Sequence, residues 1–245
     1  MLRISLAAER LWTLWGFPIS NALLTTWIVM AVLIVFGVAA TRKMSMIPGN
    51  VQLVAEMIVG GLYDFFNSIA GSFVGQFFPI IGSLFIYILL ANWIGLLPGV
   101  GTIGFYRALE QGTSPEFIPL FRGSMSDLNT TIALALVSVV AMQYYGFKNL
   151  GAHYGKRFIN FKDPIMSFVG ILEIISDLSK VISFAFRLFG NIFAGEVLLA
   201  VMAFLMPFIV PLPFLFMELF VGLIQALVFS MLTTAFFTIA VSHEE

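Results

Sequence analysis

A cluster of charged residues interrupts an otherwise apolar stretch in the second half of the chain. Between residues 173 and 196 the sequence carries five charged side chains among residues suited to lipid. A charge at bilayer depth costs about 3 kcal/mol or more, so such side chains must face protein or water. The cluster therefore indicates a path for ions inside a membrane.

The spacing of the polar residues in this stretch places them on one face of a helix. At about 100° per residue, five of them fall within about 80° of one another and form a stripe about 27 Å long. The stripe consists of Glu173, Asp177, Lys180, Arg187 and Asn191.

Internal salt bridges are the structural alternative to an ion path. Glu173 and Asp177 can each pair with Lys180, but Arg187 has no carboxylate three or four residues away. An arginine alone at that depth requires a partner from another helix or another chain. We therefore expect Arg187 to be functional.

The next apolar segment adds a second pair of polar residues, Glu218 and Gln225, seven residues apart and so on the same helix face. Two long helices joined by a proline-rich turn form a hairpin. Glu196 and Glu218 then lie toward its outer end, with Gln225 deeper. If the two carboxylates are within a few ångströms, we expect them to share one proton. The alternative is that water screens each and they act separately.

The elements that position these residues are membrane helices. An apolar stretch of about 20 residues is long enough to span a bilayer. The last two predicted spans are separated by Pro207, Pro211 and Pro213, and Ser126 and Asp127 form the predicted N-cap of the third. The predicted spans are residues 21–40, 77–97, 128–147, 165–206 and 208–241.

Residues 50–75 have a different pattern. Glu56, Asp64 and Asn67 recur at near-helical spacing among apolar residues, which predicts an amphipathic helix lying at the membrane interface. A sixth, polar-tolerant span is the alternative. The predicted fold class is thus an all-α integral membrane protein, with five crossings, one interfacial helix and a long tilted final hairpin.

Basic residues predict the orientation. The loop after the first span carries Arg42 and Lys43, and residues 148–164 carry four more, whereas the long loop after the second span has an excess of acidic residues. The positive-inside rule then places residues 1–20 outside and the C-terminus in the cytoplasm. The four basic residues are Lys148, Lys156, Arg157 and Lys162.

Composition limits the other classes of function. Sixty per cent of the 245 residues are hydrophobic and 10% are charged, the net charge is −1, and there is no cysteine. We therefore expect a lipid bilayer as the solvent, and no nucleic-acid partner, metal or cofactor. A stand-alone ion channel or secondary transporter remains an alternative, although no internal repeat is evident. The residues for an intramembrane enzyme are not evident either.

Several blocks of this sequence resemble a known family. Residues 186–191 (FRLFGN), continuing to Ala194-Gly195-Glu196, closely resemble the signature of subunit a of the rotary F-type ATP synthase. Glu173, Lys180 and Gln225 extend the match. Residues 92–99 (NWIGLLPG) and 127–131 (DLNTT) belong to it as well, so it covers the chain from about residue 77 to the end.

The resemblance implies a proton-conducting stator subunit in a bacterial cell membrane, without nucleotide chemistry of its own. Its partners would be a ring of c subunits with one essential carboxylate each, b-type peripheral-stalk subunits and the remaining ATP synthase. Arg187 takes the position of the family's essential arginine, and Glu218 stands where some members have histidine. The other positions associated with proton access are Asp127, Asn129, Asn191, Glu196 and Gln225, with Glu173 and Asp177 assigned more weakly to the inner side.

Overall fold

Five long helical stretches dominate the computed structural model. It describes residues 9–14, 17–42, 44–107, 116–151, 154–155, 158, 164–206 and 209–242. Five stretches are long and apolar enough to cross a membrane, which confirms the predicted fold class: Asn21–Thr41, Asn50–Gly95, Leu128–Leu150, Ile165–Leu205 and Pro211–Ser242. Some residues used for the predicted orientation and helix break lie outside the described part, namely Lys43, Lys156, Arg157, Lys162 and Pro207.

The helices begin and end where local chemistry dictates. Helix α1 (Asn21–Thr41) has Ser20 as its N-cap, and the Ser20 hydroxyl accepts a hydrogen bond from the Leu23 N–H. Helix α2 (Asn50–Ala70) ends at Gly71, whose φ of 55° suits glycine, and a 3₁₀ turn leads into α3 (Val74–Gly95). Helix α4 (Leu128–Leu150) has Asp127 as its N-cap, as predicted. The final pair is α5 (Pro164–Leu205) and α6 (Pro211–Ser242).

Short strands, which the sequence did not lead us to expect, lie before α1 and between α3 and α4. Strands β1 (Arg10–Leu14) and β2 (Phe17–Ser20) form one antiparallel pair, and β4 (Gly104–Arg107) and β5 (Glu116–Pro119) form another. Strand β3 (Pro98–Gly101) precedes the second pair. A 3₁₀ turn, Ser124–Ser126, then leads into α4.

The core lies where α3 and α4 pack against α6, and α4 also packs against α5. Phe77, Tyr145 and Phe237, from α3, α4 and α6, have ring centroids 5.1–5.4 Å apart. Aromatic contacts of this geometry add to the stabilisation from burial. They fix the positions of three helices around the polar site.

Helices α5 and α6 form the predicted antiparallel hairpin. Phe184 of α5 contacts Phe229 of α6 with ring centroids 4.8 Å apart, and the Lys180 Nζ lies 4.9 Å from the centre of the Phe236 ring. Residues nearer the turn on α5 face residues nearer the turn on α6. We call the end of the bundle where α5 ends and α6 begins the hairpin end.

Three polar residues of α2 face away from the bundle. Glu56, Asp64 and Asn67 are exposed, whereas Phe66 is fully buried and its ring lies 6.4 Å from that of Phe85 in α3. The predicted helix is therefore present, and its exposed surface also includes apolar residues such as Val54 and Met57. Its position at the membrane interface stays a prediction.

Candidate functional site

A cavity of about 350 Å³ opens among the segments at the hairpin end. We call it the vestibule. It lies between the start of α1, the end of α3 and the last turns of α5, and its lining includes Asn21, Gly95, Arg122 and Glu196. Its volume is large enough for several water molecules. Bulk water can therefore approach the Glu196 carboxylate.

The Glu196 carboxylate is paired with an arginine from the segment before α4. Arg122 Nη2 lies 3.5 Å from Glu196 Oε2, and these side chains are 12% and 31% exposed. The Ser126 hydroxyl donates to the Gly123 carbonyl at 2.8 Å and accepts from Arg122 Nε at 3.1 Å, so it holds the Arg122 side chain in place. A guanidinium at this distance stabilises a negative charge on the carboxylate.

Glycines make room for both carboxylates of the hairpin. A Cβ atom at Gly123 would come within 3.0 Å of Glu196 Oε1. A Cβ atom at Gly195 would overlap the Glu218 carboxylate itself. The Glu218 carboxylate therefore lies directly against the backbone of α5 at Gly195, the residue before Glu196.

A second, much smaller cavity joins the two carboxylates. Its volume of about 10 Å³ is close to the least that holds one water molecule. Glu196, Glu218 and Asn92 all line it. Glu218 is only 3% exposed, and its Oε1 has no hydrogen-bond partner among the described residues, nor has Asn92 Oδ1. Buried polar atoms without partners mark a place where a water molecule or a proton can be bound.

One turn further from the hairpin end, an amide pair connects α5 and α6. Asn191 Nδ2 donates to Gln225 Oε1 at 2.7 Å, while the buried Gln225 Nε2 has no partner in the part of the chain that the structure describes. Asn92 of α3 also reaches α6, where its Nδ2 donates to the Gly222 carbonyl at 3.0 Å. The predicted residues Asn191, Glu218 and Gln225 are thus brought together along one seam of the hairpin.

Arg187 lies one turn beyond Asn191 on α5. Its Nη2 is 3.3 Å from Ser183 Oγ, and its guanidinium carbon is 5.9 Å from the centre of the Phe184 ring. Within the described ranges it forms no salt bridge. A cation without a carboxylate partner is what the sequence predicted. The same helix carries an exposed apolar stripe, which consists of Ile175, Leu178, Ile182 and Phe186.

Asp177 belongs to a separate polar cluster near the opposite end. It is 8% exposed, and its two oxygens accept from Lys180 Nζ and Gln143 Nε2, each at 2.6 Å. The structural alternative of a salt bridge with Lys180 is therefore correct for this residue. Glu173 lies one turn away on the same helix and is partly buried.

Asp127 and Asn129 lie at the start of α4 rather than in the vestibule. Asp127 Oδ1 accepts from the Asn129 backbone N–H and from its side-chain amide, both at 3.3 Å. Thr130 Oγ1 is 3.4 Å from the other carboxylate oxygen. The geometry explains Asp127 as a helix cap, and its role in proton access stays a prediction.

Arg122 is the site residue that sequence reasoning missed. The sequence does not single it out, because its partner Glu196 is 74 residues away and on another element. The one feature of the sequence that points to Arg122 is its position just before residues 127–131 (DLNTT), four residues ahead of Ser126.

Comparison with known proteins supports this arrangement of motifs. A family model described as "ATP synthase A chain" matches residues 23–238, which is most of the chain. The match includes every predicted site residue, from Asp127 to Gln225.

Individual relatives agree over most of their length. The chain is 36% identical over 220 residues to ATP synthase subunit a of Syntrophobacter fumaroxidans, covering 89% of this chain and 83% of that one. It is 35% identical over 231 residues to the Gloeobacter violaceus subunit a, covering 92% and 85%. The chloroplastic subunit a of Stigeoclonium helveticum is 33% identical over 240 residues, covering 95% and 89%. With the polar hairpin and five apolar helical stretches, these matches show that the chain belongs to the ATP synthase subunit a family.

Proposed function

We propose that this chain is the stator subunit that conducts protons to a rotating ring of c subunits in the ATP synthase membrane sector. It provides two offset aqueous half-channels, one from each side of the membrane, and Arg187 separates them. The peripheral stalk holds it fixed while the ring turns. Nucleotide chemistry belongs to other subunits. Family membership supports the coarse role, and the polar seam of the hairpin supports the details.

The half-channel from the hairpin end follows the polar residues in order. Water enters the vestibule and reaches Glu196, and the small cavity connects Glu196 with Glu218. The Asn191–Gln225 pair comes next, and Arg187 lies one turn further along α5. From residue 196 to residue 187 the rise along the helix is about 14 Å. A proton therefore needs few transfers between the vestibule and the ring.

Arg187 acts on the ring carboxylate by its charge. A ring carboxylate that faces lipid must be protonated, because an ionised one is too costly there. As it approaches Arg187, the fixed cation favours the ionised form, and the proton leaves to one half-channel. After passing the arginine, the carboxylate takes a proton from the other half-channel. The same cation repels protons and blocks a direct leak.

The exposed apolar stripe of α5 supports the position of the ring. Leu178 and its neighbours one turn away, Ile175 and Ile182, are all more than half exposed. A ring of helices with apolar outer surfaces can slide past such a surface, since no specific polar contact has to be broken at each step.

The opposite half-channel involves the other end of the polar stripe. Glu173 and Asp177 border it in this proposal, with Ser176 nearby. Both carboxylate oxygens of Asp177 already accept hydrogen bonds, one from Lys180 and one from Gln143. In this proposal Asp177 therefore positions these two side chains rather than carrying protons. With residues 1–20 outside, the vestibule opens outward and the Asp177 cluster lies on the cytoplasmic side.

One observation carries the proposal: Arg187 forms no salt bridge among the described residues, at the inner end of a seam of buried polar atoms without partners. Its replacement tests the proposal. We expect Arg187→Ala complexes to assemble but to lose ATP-driven proton pumping in vesicles. Arg187→Lys is expected to fail largely, because a compact ammonium lacks the reach and delocalised charge of guanidinium. Near-normal pumping by Arg187→Ala complexes would contradict the mechanism.

A further inference from the structure

We propose that Arg122 is a positioning residue that fixes Glu196 as a permanently charged partner, so that Glu218 is the carboxylate that takes up and releases the proton. This inference rests on the proposed function of the seam as a proton path. It replaces the expectation of a proton shared equally by the two carboxylates. It also gives a role to a residue outside the helical hairpin.

Arg122 is built into the wall of the vestibule by three separate contacts. Its backbone N–H donates to Thr25 Oγ1 of α1 at 3.3 Å, and its Nε donates to Ser126 Oγ at 3.1 Å. Its Nη2 faces Glu196 Oε2 at 3.5 Å. Since the side chain is only 12% exposed, its guanidinium is held in one place rather than free in the vestibule. A fixed guanidinium is suited to hold a carboxylate.

The same contacts give the two carboxylates unequal surroundings. Glu196 has the Arg122 guanidinium as its ion-pair partner and lines the vestibule, which is large enough for several water molecules. Glu218 lies on the bare backbone at Gly195, and its Oε1 lacks a partner among the described residues. Among the described residues, the charged groups that face this pair are Arg122, each carboxylate for the other, and Glu9 in the lining of the vestibule.

The charge balance then separates the roles of the two residues. One cation cannot compensate both carboxylates, and an unpaired charge on the buried Glu218 is costly. Arg122 compensates Glu196, so Glu218 is the group that is most stable when it holds a proton. A proton arriving through the vestibule passes the Glu196–Arg122 pair by the small cavity and is taken up at Glu218. Glu196 supplies a fixed negative charge that attracts it.

The test compares single and double neutral variants in complete ATP synthase complexes in vesicles. Proton-pumping rates are normalised to the amount of assembled complex. We expect Arg122→Gln and Glu196→Gln each to slow pumping by about tenfold, the scale of leaving a partly buried charge without its partner. The double variant Arg122→Gln/Glu196→Gln should be faster than either single variant, because it removes both charges. Arg122→Lys should retain most of the rate.

A matched control is Arg42→Gln, which removes an exposed arginine at the far end of α1. It should leave the rate unchanged. A double variant no faster than Glu196→Gln alone would overturn the inference, because Glu196 would then be a proton carrier itself. Glu218→Leu is measured in parallel. If Glu218→Leu pumps slowly and the double variant is no faster than the single variants, only the proposed role of Arg122 is contradicted. If it pumps at the wild-type rate, the proposed path fails as well.

Discussion

Replacing Gly195 by alanine tests whether the Glu218 carboxylate must lie on the backbone of α5. The added Cβ would overlap this carboxylate, which is only 3% exposed and borders a cavity of only about 10 Å³. Forcing extra volume into a packed site costs about 1–3 kcal/mol. If that cost falls on the arrangement that accepts protons, its population decreases by about 5- to 150-fold. We therefore expect ATP-driven pumping to fall by at least about fivefold.

The assay is proton pumping by Gly195→Ala complexes in vesicles, relative to the amount of assembled complex. Gly37→Ala is the matched control, since a Cβ atom at this exposed position of α1 meets nothing within 4 Å. The double variant Gly195→Ala/Glu218→Ala identifies the cause. In the Glu218→Ala background, the Gly195 change should have no further effect, because the carboxylate it displaces is absent. Wild-type pumping by Gly195→Ala would refute the packing argument.

Three other outcomes are expected. Glu218→His should retain partial pumping, because imidazole can accept and donate a proton, whereas Glu218→Leu should lose much more; equal rates for Leu and wild type would remove Glu218 from the path. Asp177→Asn should lower the yield of assembled complex more than the pumping rate per complex, because it removes the ionic partner that Lys180 has at 2.6 Å; the opposite pattern would make Asp177 part of the path. Cysteines at Lys156 and Gln111, which lie outside the described residues, should be labelled from opposite sides of the membrane; labelling from one side would show that the orientation argument is wrong.

The helices could be predicted because membrane spans are determined by a local property. Hydropathy gave residues 77–97 for the helix observed at Val74–Gly95, and residues 128–147 for Leu128–Leu150. The predicted and observed helices differ only at their ends, because capping residues determine where a helix begins and ends. Asp127 is a cap that a sequence reveals. The ending of α2 at Gly71 depends on a backbone conformation that composition does not reveal.

The strands and the Arg122 contact could not be predicted in the same way. The pair β4–β5 is only four residues long on each side, and Gly104 lies so close to the Ile118 carbonyl that a Cβ atom would not fit. Such backbone contacts depend on the surrounding helices. The pair of Arg122 and Glu196 depends on how a loop packs against α5. Helical periodicity found Arg187 and Asn191 because both lie within one helix.

Water access along the seam tests the central claim most directly. Because the chain has no cysteine, single cysteines can be introduced at Asn92, Ser176 and Val35, and silver ions added to either side of sealed vesicles before alkylation. Asn92 lines the small cavity beyond the vestibule, and Val35 is 68% exposed on α1. The account predicts that silver blocks alkylation at residue 92 only from the hairpin side, at residue 176 only from the opposite side, and at residue 35 from neither. Protection at residue 92 from both sides, or from neither, would contradict two half-channels separated by Arg187.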